Sequence, residues 1–291
     1  MIDGMRADLH LHTTASDGSD TPRELLCKAR ENGIDVVSIT DHDTIAGLKE
    51  LSVEDFNGIK VITGIEFSCY FKGKKGGFNC HILGYGFDTE NEAMLSAIEH
   101  GRRMRLIKLD ARIEYLKNTF GIEFSRDEIE ELRGYNSVAK PHLARLIIKH
   151  GLADSVGDAI EKYLLGAKFP DDRIGAEEAI SAIKQAGGVS VYAHPLGGER
   201  EPRIDRERLE RRVLRLKKIG LDGLECYYSR YSADDSEMIR NIAEENGMCV
   251  SAGSDYHGKN KTVVLGEVNS SGDTVDISKI TVLTKINRES R

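Results

Sequence analysis

The sequence predicts an α/β protein that folds as a barrel of parallel strands and carries a helical insertion. β-rich apolar runs alternate with amphipathic helical segments near both ends of the chain, which is the pattern of βα units. Polar residues stand at the carboxyl ends of these strands, where parallel barrels place their chemistry. Residues 89–170 interrupt the alternation, because they contain no convincing strand and their apolar residues recur at helical spacing.

The bulk composition is that of a globular protein, since 40% of the 291 residues are hydrophobic and 31% are charged. The net charge of -7 argues against duplex DNA as a partner but allows a local basic pocket. No apolar run approaches the ~20 residues of a membrane span, and the N-terminus lacks the features of a signal peptide. The five cysteines are scattered without a paired CxxC motif, so we expect a reduced, cytoplasmic protein with no membrane partner.

The first βα unit shows its boundaries in the sequence. Residues 6–12 predict a strand, and Thr21 can cap a helix whose first turn holds Pro22 and Glu24. That helix should end at Asn32-Gly33. The further predicted strands lie at 36–40, 60–67, 80–86, 188–193, 221–228 and 248–253. The further predicted helices lie at 45–51, 176–185, 205–218 and 233–246, and a closing strand with a short final element follows residue 262.

The interruption of the pattern divides the chain into two parts. Residues 1–88 and 171–291 together predict the barrel, and residues 89–170 predict a helical insertion domain that caps the substrate. Strand–helix alternation resumes after the insertion, so the barrel should be continuous in space although it is interrupted in sequence.

Nearly every predicted strand ends in a side chain that can bind a metal ion. His10 and His12 are two residues apart on an extended segment, so their side chains point the same way. Asp17 follows them in the next loop, and six of the nine histidines of the chain stand at strand ends. The candidate ligands are His10, His12, Asp17, His42, Glu66, His81, His194, Asp255 and His257.

The types of these ligands restrict the metal and the chemistry. Mixed imidazole and carboxylate ligands suit Mn, Fe or Zn, whereas thiolate clusters and all-oxygen sites do not match. The set is larger than one ion needs, so we expect two or three divalent ions that share Glu66 as a bridging carboxylate. Clustered divalent ions favour the hydrolysis of phosphate esters, because they activate water and neutralise charge on phosphate oxygens.

The same motifs, in the same order, resemble those of the PHP (polymerase and histidinol phosphatase) family. The resemblance implies a distorted (β/α)7 TIM-like barrel with a trinuclear site. It implies one ion held by His10, His12, Glu66 and Asp255, a second held by Glu66, His81 and His194, and a third held by Asp17, His42 and His257. The segments that carry the resemblance are Asp8-Leu9-His10-Leu11-His12, Asp17-Gly18, Thr40-Asp41-His42-Asp43, Gly64-Ile65-Glu66, His81-Ile82-Leu83-Gly84-Tyr85, Ala193-His194-Pro195 and Gly253-Ser254-Asp255-Tyr256-His257.

Two segments of the insertion resemble those of a PHP subgroup that hydrolyses nucleoside phosphates. This subgroup includes enzymes for 3′,5′-bisphosphates and some that degrade short RNA from the 5′ end. The segments begin at Pro141 and Tyr163, and they imply that His142, Arg145 and Lys168 contact a substrate phosphate. The alternative is that these residues are surface charges and a histidine that packs between helices.

The predicted function is hydrolysis of a phosphate monoester of a nucleotide, AMP or a 3′,5′-bisphosphate, by a hydroxide that bridges two metal ions. Glu66, His194 and His257 are the predicted catalytic residues, and the leaving alcohol would be protonated by His194, His257 or a metal-bound water. The substrate is a small phosphorylated molecule, with short RNA as an extension. The alternatives are a histidinol-phosphate phosphatase, a 5′-3′ exoribonuclease on short RNA, and a non-catalytic metal-binding accessory module.

Overall fold

A computed structural model describes residues 4–74, 76–167, 173–199 and 201–289, with backbone only for 288 and 289. The strands lie close to their predicted positions, and the predicted strand at 60–67 is divided at Thr63. The strands are β1 (Ala7–Leu11), β2 (Val36–Ile39), β3 (Lys60–Ile62), β4 (Gly64–Phe71), β5 (Phe78–Tyr85), β6 (Ile174–Gly175), β7 (Val189–Tyr192), β8 (Gly223–Tyr228) and β9 (Cys249–Gly253).

The strands form two sheets that meet at the ends of β1 and β4. One sheet has the order β1-β2-β3 and is parallel throughout, and the other has the order β6-β4-β5-β7-β8-β9. An isolated parallel bridge joins Leu11 to Tyr256, and a second joins His42 to Glu66. Backbone hydrogen bonds from His12 to Tyr256 and from Asp255 to His10 strengthen the first junction. The closed seven-stranded barrel stays a prediction.

The expectation of a fully parallel barrel is wrong for β5. This strand runs antiparallel to both β4 and β7. The cause is the connection between β4 and β5, which is a short loop at 72–77 with no helix in its described residues. A parallel neighbour needs a crossover of a dozen or more residues, whereas a short loop suffices for a hairpin.

Helices cover the sheets between successive strands. The helix α1 (Pro22–Glu31) has the predicted capping box, in which Thr21 accepts from the backbone of Glu24 while the Glu24 carboxylate accepts from the backbone of Thr21. Among the described residues, no helix is long and apolar enough to cross a bilayer. The other helices that cover the sheets are α2 (Ala46–Lys49), α3 (Val53–Phe56), α8 (Ala176–Gln185), α9 (Arg206–Lys218) and α10 (Ala233–Glu245).

The described part of residues 89–170 is helical. These helices are α4 (Glu92–Phe120), α5 (Arg126–Arg133), α6 (Lys140–Lys149) and α7 (Val156–Ala159), which continues as a π-helix over Ile160–Leu164. The far end of α4 packs with the others around a separate apolar core that includes Leu109, Leu143 and Ile147. The near end of α4 instead buries Met94 and Ala97 in the core of the large sheet.

The predicted closing strand after residue 262 is wrong. In the structure this segment holds a 3-10 turn (Ile277–Lys279) and a last helix α11 (Val282–Glu289), with no strand among its described residues. The edge of β1 that such a strand would have needed is occupied by the bridge to Tyr256. Buried apolar residues of the tail, including Val268 and Ile280, cover the core beneath β7 and β9 instead.

Candidate metal centre

The structure brings the predicted ligands together around the carboxylate of Glu66. One oxygen of Glu66 lies 3.3 Å from His10 Nε2, 3.2 Å from His12 Nε2 and 3.0 Å from His42 Nδ1. The other oxygen lies 2.8 Å from His81 Nδ1 and 3.2 Å from His194 Nε2. Glu66 is only 1% exposed, so five imidazoles from four segments of the chain surround a buried carboxylate.

A second buried carboxylate, Asp255, faces the same histidines. Its Oδ1 lies 3.4 Å from both His12 Nε2 and His257 Nδ1. Its Oδ2 accepts hydrogen bonds from Tyr228 (3.0 Å) and from the Lys261 ammonium (2.7 Å). Two donors therefore hold Oδ2, and Oδ1 is left to face the centre.

Asp17 forms a third acidic point beside this pair. Its Oδ1 lies 3.2 Å from His257 Nε2, 3.8 Å from His12 Nδ1 and 4.0 Å from His42 Nε2. The loop that carries Asp17 is held by Asp41, which accepts hydrogen bonds from Thr13 and Ser16. Every one of the predicted metal ligands therefore lies in this cluster.

The backbone is strained at two of these residues. His194 has φ +31° and Asp255 has φ +60°, a region that costs non-glycine residues about 1–3 kcal/mol each. Gly253 is required beside them, because a Cβ there would lie 2.2 Å from the Cβ of His10. Strained residues that gather at one place indicate a functional site rather than a packing region.

The donor set fits divalent metal ions. Buried polar atoms without a hydrogen-bond partner are rare, and a convergent group of them needs an explanation. Among the described residues such atoms include His10 Nε2, His12 Nε2, Asp17 Oδ1, His42 Nδ1, Glu66 Oε2 and His257 Nε2. Three groups of side chains have ligand atoms close enough to share an ion. They are His12 with Asp17, His42 and His257; His10 with His12 and Glu66; and His42 with Glu66 and His81.

Charge coupling within the cluster is strong. Burial opposes ionisation of Glu66, but His42, His10 and His81 outweigh it and hold the pKa of Glu66 well below its usual value. The pKa of His194 is raised to about 10, because hydrogen bonds to Glu201 and Glu66 overcome the effect of burial. Burial, together with the charges of His257 and His42, lowers the pKa of His12. Neutral imidazoles can bind a metal ion directly, and protonated ones can bind once the ion displaces their proton.

Two carboxylates that the sequence analysis did not identify contact the candidate ligands. Glu225 lies 2.8 Å from His10 Nδ1, and Glu201 lies 3.5 Å from His194 Nδ1. Glu225 has a usable signal in the sequence, since a carboxylate in the middle of an apolar strand needs a buried partner. Glu201 has no such signal, because it lies in a charged loop.

The centre forms the floor of a cavity of about 690 Å³. Its walls include a row of α4 side chains at helical spacing, Arg105, Lys108 and Arg112, together with Arg173 before β6 and Lys140 at the start of α6. Arg105 donates to Asp43 (2.6 Å) and to Ser68 (2.9 Å). Burial, with the charges of Arg105 and Arg173, lowers the pKa of Arg112 to about 10. One wall of the cavity is therefore basic, and its floor is acidic.

The residues predicted to contact the substrate are not part of this basic wall. His142 is 4% exposed, accepts a hydrogen bond from the Ala139 backbone at 2.9 Å and stacks on Tyr135. Neither His142 nor Arg145 is among the residues that line the cavity, and Lys168 lies outside the described residues. His142 thus packs within the start of α6, and the contacts of His142, Arg145 and Lys168 with a substrate phosphate stay a prediction.

Comparisons with known proteins agree with this geometry. The PHP domain matches residues 8–192. A 5′-3′ exoribonuclease of Haemophilus influenzae is 30% identical over 257 residues, which are 86% of this chain and 89% of that protein. A 3′,5′-nucleoside bisphosphate phosphatase of Chromobacterium violaceum is 30% identical over 258 residues, 86% of each chain.

The solved structures extend the likeness to the whole chain. An amidohydrolase structure from Chromobacterium violaceum, with bound sulfate and no metal, is 25% identical, covers 98% of this chain and 96% of its own, and gives a TM-score of 0.79. The family match runs from β1 through β7, where most of the clustered side chains lie. The chain therefore belongs to the PHP domain family.

Proposed function

We propose that the protein is a metal-dependent phosphoesterase that hydrolyses a phosphate monoester of a nucleotide. The observation that carries this is a cluster of six histidines and three carboxylates with unpartnered buried ligand atoms. Four of these histidines and all three carboxylates line a cavity that also has a basic wall. The relatives named as a bisphosphate phosphatase and an exoribonuclease support the class of reaction.

Two or three divalent ions, Mn, Fe or Zn, are the proposed cofactors, with Glu66 as the shared ligand. When bound, such ions activate water and neutralise charge on the phosphate oxygens. The ligand groups around His12, His10 and His42 support the assignment of separate ions. His42 belongs to two of these groups, so it is a candidate for the second ion as well as for the third, where the resemblance assigns it.

The residues of the chain orient the substrate and move protons. His194 and His257 both line the cavity. A proton for the leaving alcohol would come from whichever of the two does not bind an ion. Burial lowers the pKa of His142 to about 4, which disfavours this residue as a proton donor at neutral pH. Its proposed contribution is to hold the start of α6 against the rim of the site.

The basic wall indicates which ester enters. Arg105, Lys108 and Arg112 belong to the helical insertion, proposed as a capping domain over 89–170, and they line the cavity. Arginine binds phosphate through a planar pair of donors. A substrate with a second phosphate, such as a nucleoside 3′,5′-bisphosphate, can place one phosphate at the centre and the other on this wall.

The test is phosphate release by the purified protein loaded with Mn(II). Adenosine 3′,5′-bisphosphate, AMP, histidinol phosphate and a short 5′-phosphorylated RNA are compared at equal concentration. We expect the bisphosphate to have the highest kcat/KM. Shortening of the RNA from its 5′ end would instead favour the exoribonuclease, and preference for histidinol phosphate would refute the nucleotide assignment.

Two variants separate the parts of the proposal. Glu66→Gln should abolish turnover and weaken Mn(II) binding, because it removes the shared charge while the side chain keeps its size. Arg112→Gln should raise KM for the bisphosphate by about tenfold or more, equivalent to about 1.4 kcal/mol, and change KM for AMP far less. Release of no phosphate from any ester by protein with stoichiometric metal would refute the phosphoesterase proposal.

A further inference from the structure

Glu225 is a buried carboxylate that contacts two candidate metal ligands and is absent from the predicted ligand set. It lies in β8 and is 0% exposed. One of its oxygens is 2.8 Å from His10 Nδ1, and the other accepts a hydrogen bond of 2.6 Å from the backbone N–H of His194. A charge without solvent must be compensated, and these contacts to ligand residues are the compensation that the structure shows.

We propose that Glu225 is a positioning residue that fixes His10 and His194, which the family resemblance assigns to two different ions. The proposal rests on the proposed function only in requiring metal ions at the centre. Neither oxygen of Glu225 faces the cavity, so we assign it no contact with the substrate.

The contact with His10 selects its tautomer. When Nδ1–H donates to Glu225, the neutral ring has Nε2 free as a ligand atom. Nε2 is the atom that faces the centre, 3.3 Å from Glu66 and 3.7 Å from Asp255. A carboxylate behind a histidine ligand also raises the basicity of the ring, and its loss weakens metal affinity by about 10–100-fold.

The contact with His194 holds a strained turn. The residue has φ +31°, and its N–H is bound by Glu225 while its C=O accepts from the N–H of Gly197 at 2.8 Å. These two hydrogen bonds fix the backbone on both sides of the Cα. They thereby direct the ring so that Nε2 lies 3.2 Å from Glu66.

The strands are shaped to bring these partners together. The register of β8 against β9 shifts between Glu225 and Tyr227, and the register of β1 against β2 shifts between Asp8 and Leu11. Bulges of this kind redirect side chains and are frequent beside active sites. Gly253 on β9 leaves the space, since a Cβ there would lie 3.0 Å from Glu225 Oε1.

The test measures Mn(II) binding to metal-free protein by the electron paramagnetic resonance signal of free Mn(II), with no substrate present. Glu225→Gln should weaken two of the binding steps by about 10–100-fold. Glu201→Gln removes a contact to His194 alone and should weaken only one step. Glu237→Gln makes the same charge change at an exposed position of α10 and should bind as the wild type does.

A spectroscopic measurement distinguishes positioning from general support of the fold. In zinc-loaded protein labelled with nitrogen-15 histidine, His10 should bind through Nε2 and retain its Nδ1 proton, and Glu225→Gln should shift that proton signal. If circular dichroism shows that Glu225→Gln does not fold, Glu225→Asp replaces it. The shorter Asp side chain keeps the charge but reaches only one of the two partners, so it should weaken only one Mn(II) binding step.

Two results would overturn the proposal. They are wild-type Mn(II) affinity in the folded Glu225 variant, and coordination of His10 through Nδ1 in the wild type. Because no assay step uses a phosphate ester, a failure of the proposed function would leave these measurements unaffected. If the wild-type protein has no phosphatase activity but Glu225→Gln still weakens Mn(II) binding, the positioning role stands and only the proposed reaction is refuted.

Discussion

His142 gives the sharpest prediction, because the structure shows which groups surround its ring. Its ring is 4% exposed, stacks on Tyr135 and accepts from the backbone of Ala139, so its protonated form is disfavoured. Its pKa is lowered from 6.5 to about 4, mainly by burial and further by the charges of Arg145 and Arg105. The charge of Asp17 opposes this shift. The perturbation is His142→Gln, which does not titrate and can still accept from the cap backbone as glutamine does in a capping box.

The magnitude follows from linkage. As pH falls below 6.5, the unfolded chain takes up a proton at His142 while the folded chain does not, so stability is full above 6.5 and decreases towards 4. Each unit is worth about 1.36 kcal/mol, which gives about 2 kcal/mol between pH 6.5 and pH 5. The free energy of unfolding of the wild type minus that of His142→Gln should therefore fall by about 2 kcal/mol between pH 7 and pH 5.

The assay is urea unfolding of metal-free protein, followed by far-ultraviolet circular dichroism at each pH. Subtraction of the variant cancels the titration of the other buried groups, since the variant retains them. A difference that stays flat from pH 7 to pH 5 would refute the reasoning, as would an NMR titration that places the His142 pKa near 6.5. Turnover at neutral pH should change by less than about threefold, because a neutral buried ring offers a phosphate little.

Three further predictions concern the centre itself. Gly253→Ala should weaken Mn(II) binding and lower the melting temperature, because its Cβ would lie 2.2 Å from the Cβ of His10; unchanged melting would show that β9 can move aside. Tyr228→Phe should weaken Mn(II) binding up to about tenfold through the lost hydrogen bond to Asp255, measured by chelator competition. Loading metal at pH 7 should release protons, because the pKa values of His10 and His194 are raised in the metal-free protein; calorimetry in buffers of different ionisation enthalpy counts them, and no buffer dependence would contradict the prediction.

The sequence was sufficient to predict most of the clustered side chains because parallel strands end at one edge, whereas His81 lies within the antiparallel strand β5. His42 and Glu66 follow neighbouring strands, and their bridge at the junction of the two sheets follows from that rule. The capping box at Thr21 was equally readable, since it depends on residues three positions apart. These features are local, or they follow from a general rule of topology.

The features that the sequence did not reveal depend on contacts between distant segments. The direction of β5 does not change its apolar pattern, so only the short loop at 72–77 could have indicated a hairpin. The role of Glu225 depends on His10, 215 positions away, and on a register shift that no residue pattern marks. Arg112 is part of a charged helix surface in sequence, and only packing of α4 over the centre makes it line the cavity.

The charges of the site explain why the acidic floor of the cavity needs metal ions, whereas one wall already carries basic side chains. Four carboxylates meet at the centre: the buried Glu66, Glu225 and Asp255, and the partly buried Asp17. Lys261 contacts Asp255 and contributes one positive charge. The four carboxylates and this lysine leave three negative charges when the histidines are neutral, as metal ligands must be. Two divalent ions would reverse that sign and make the floor attractive to a phosphate. On the proposed function, the basic wall of α4 would then contact the rest of the substrate, so the insertion would select the ester while the metal centre carries out the reaction.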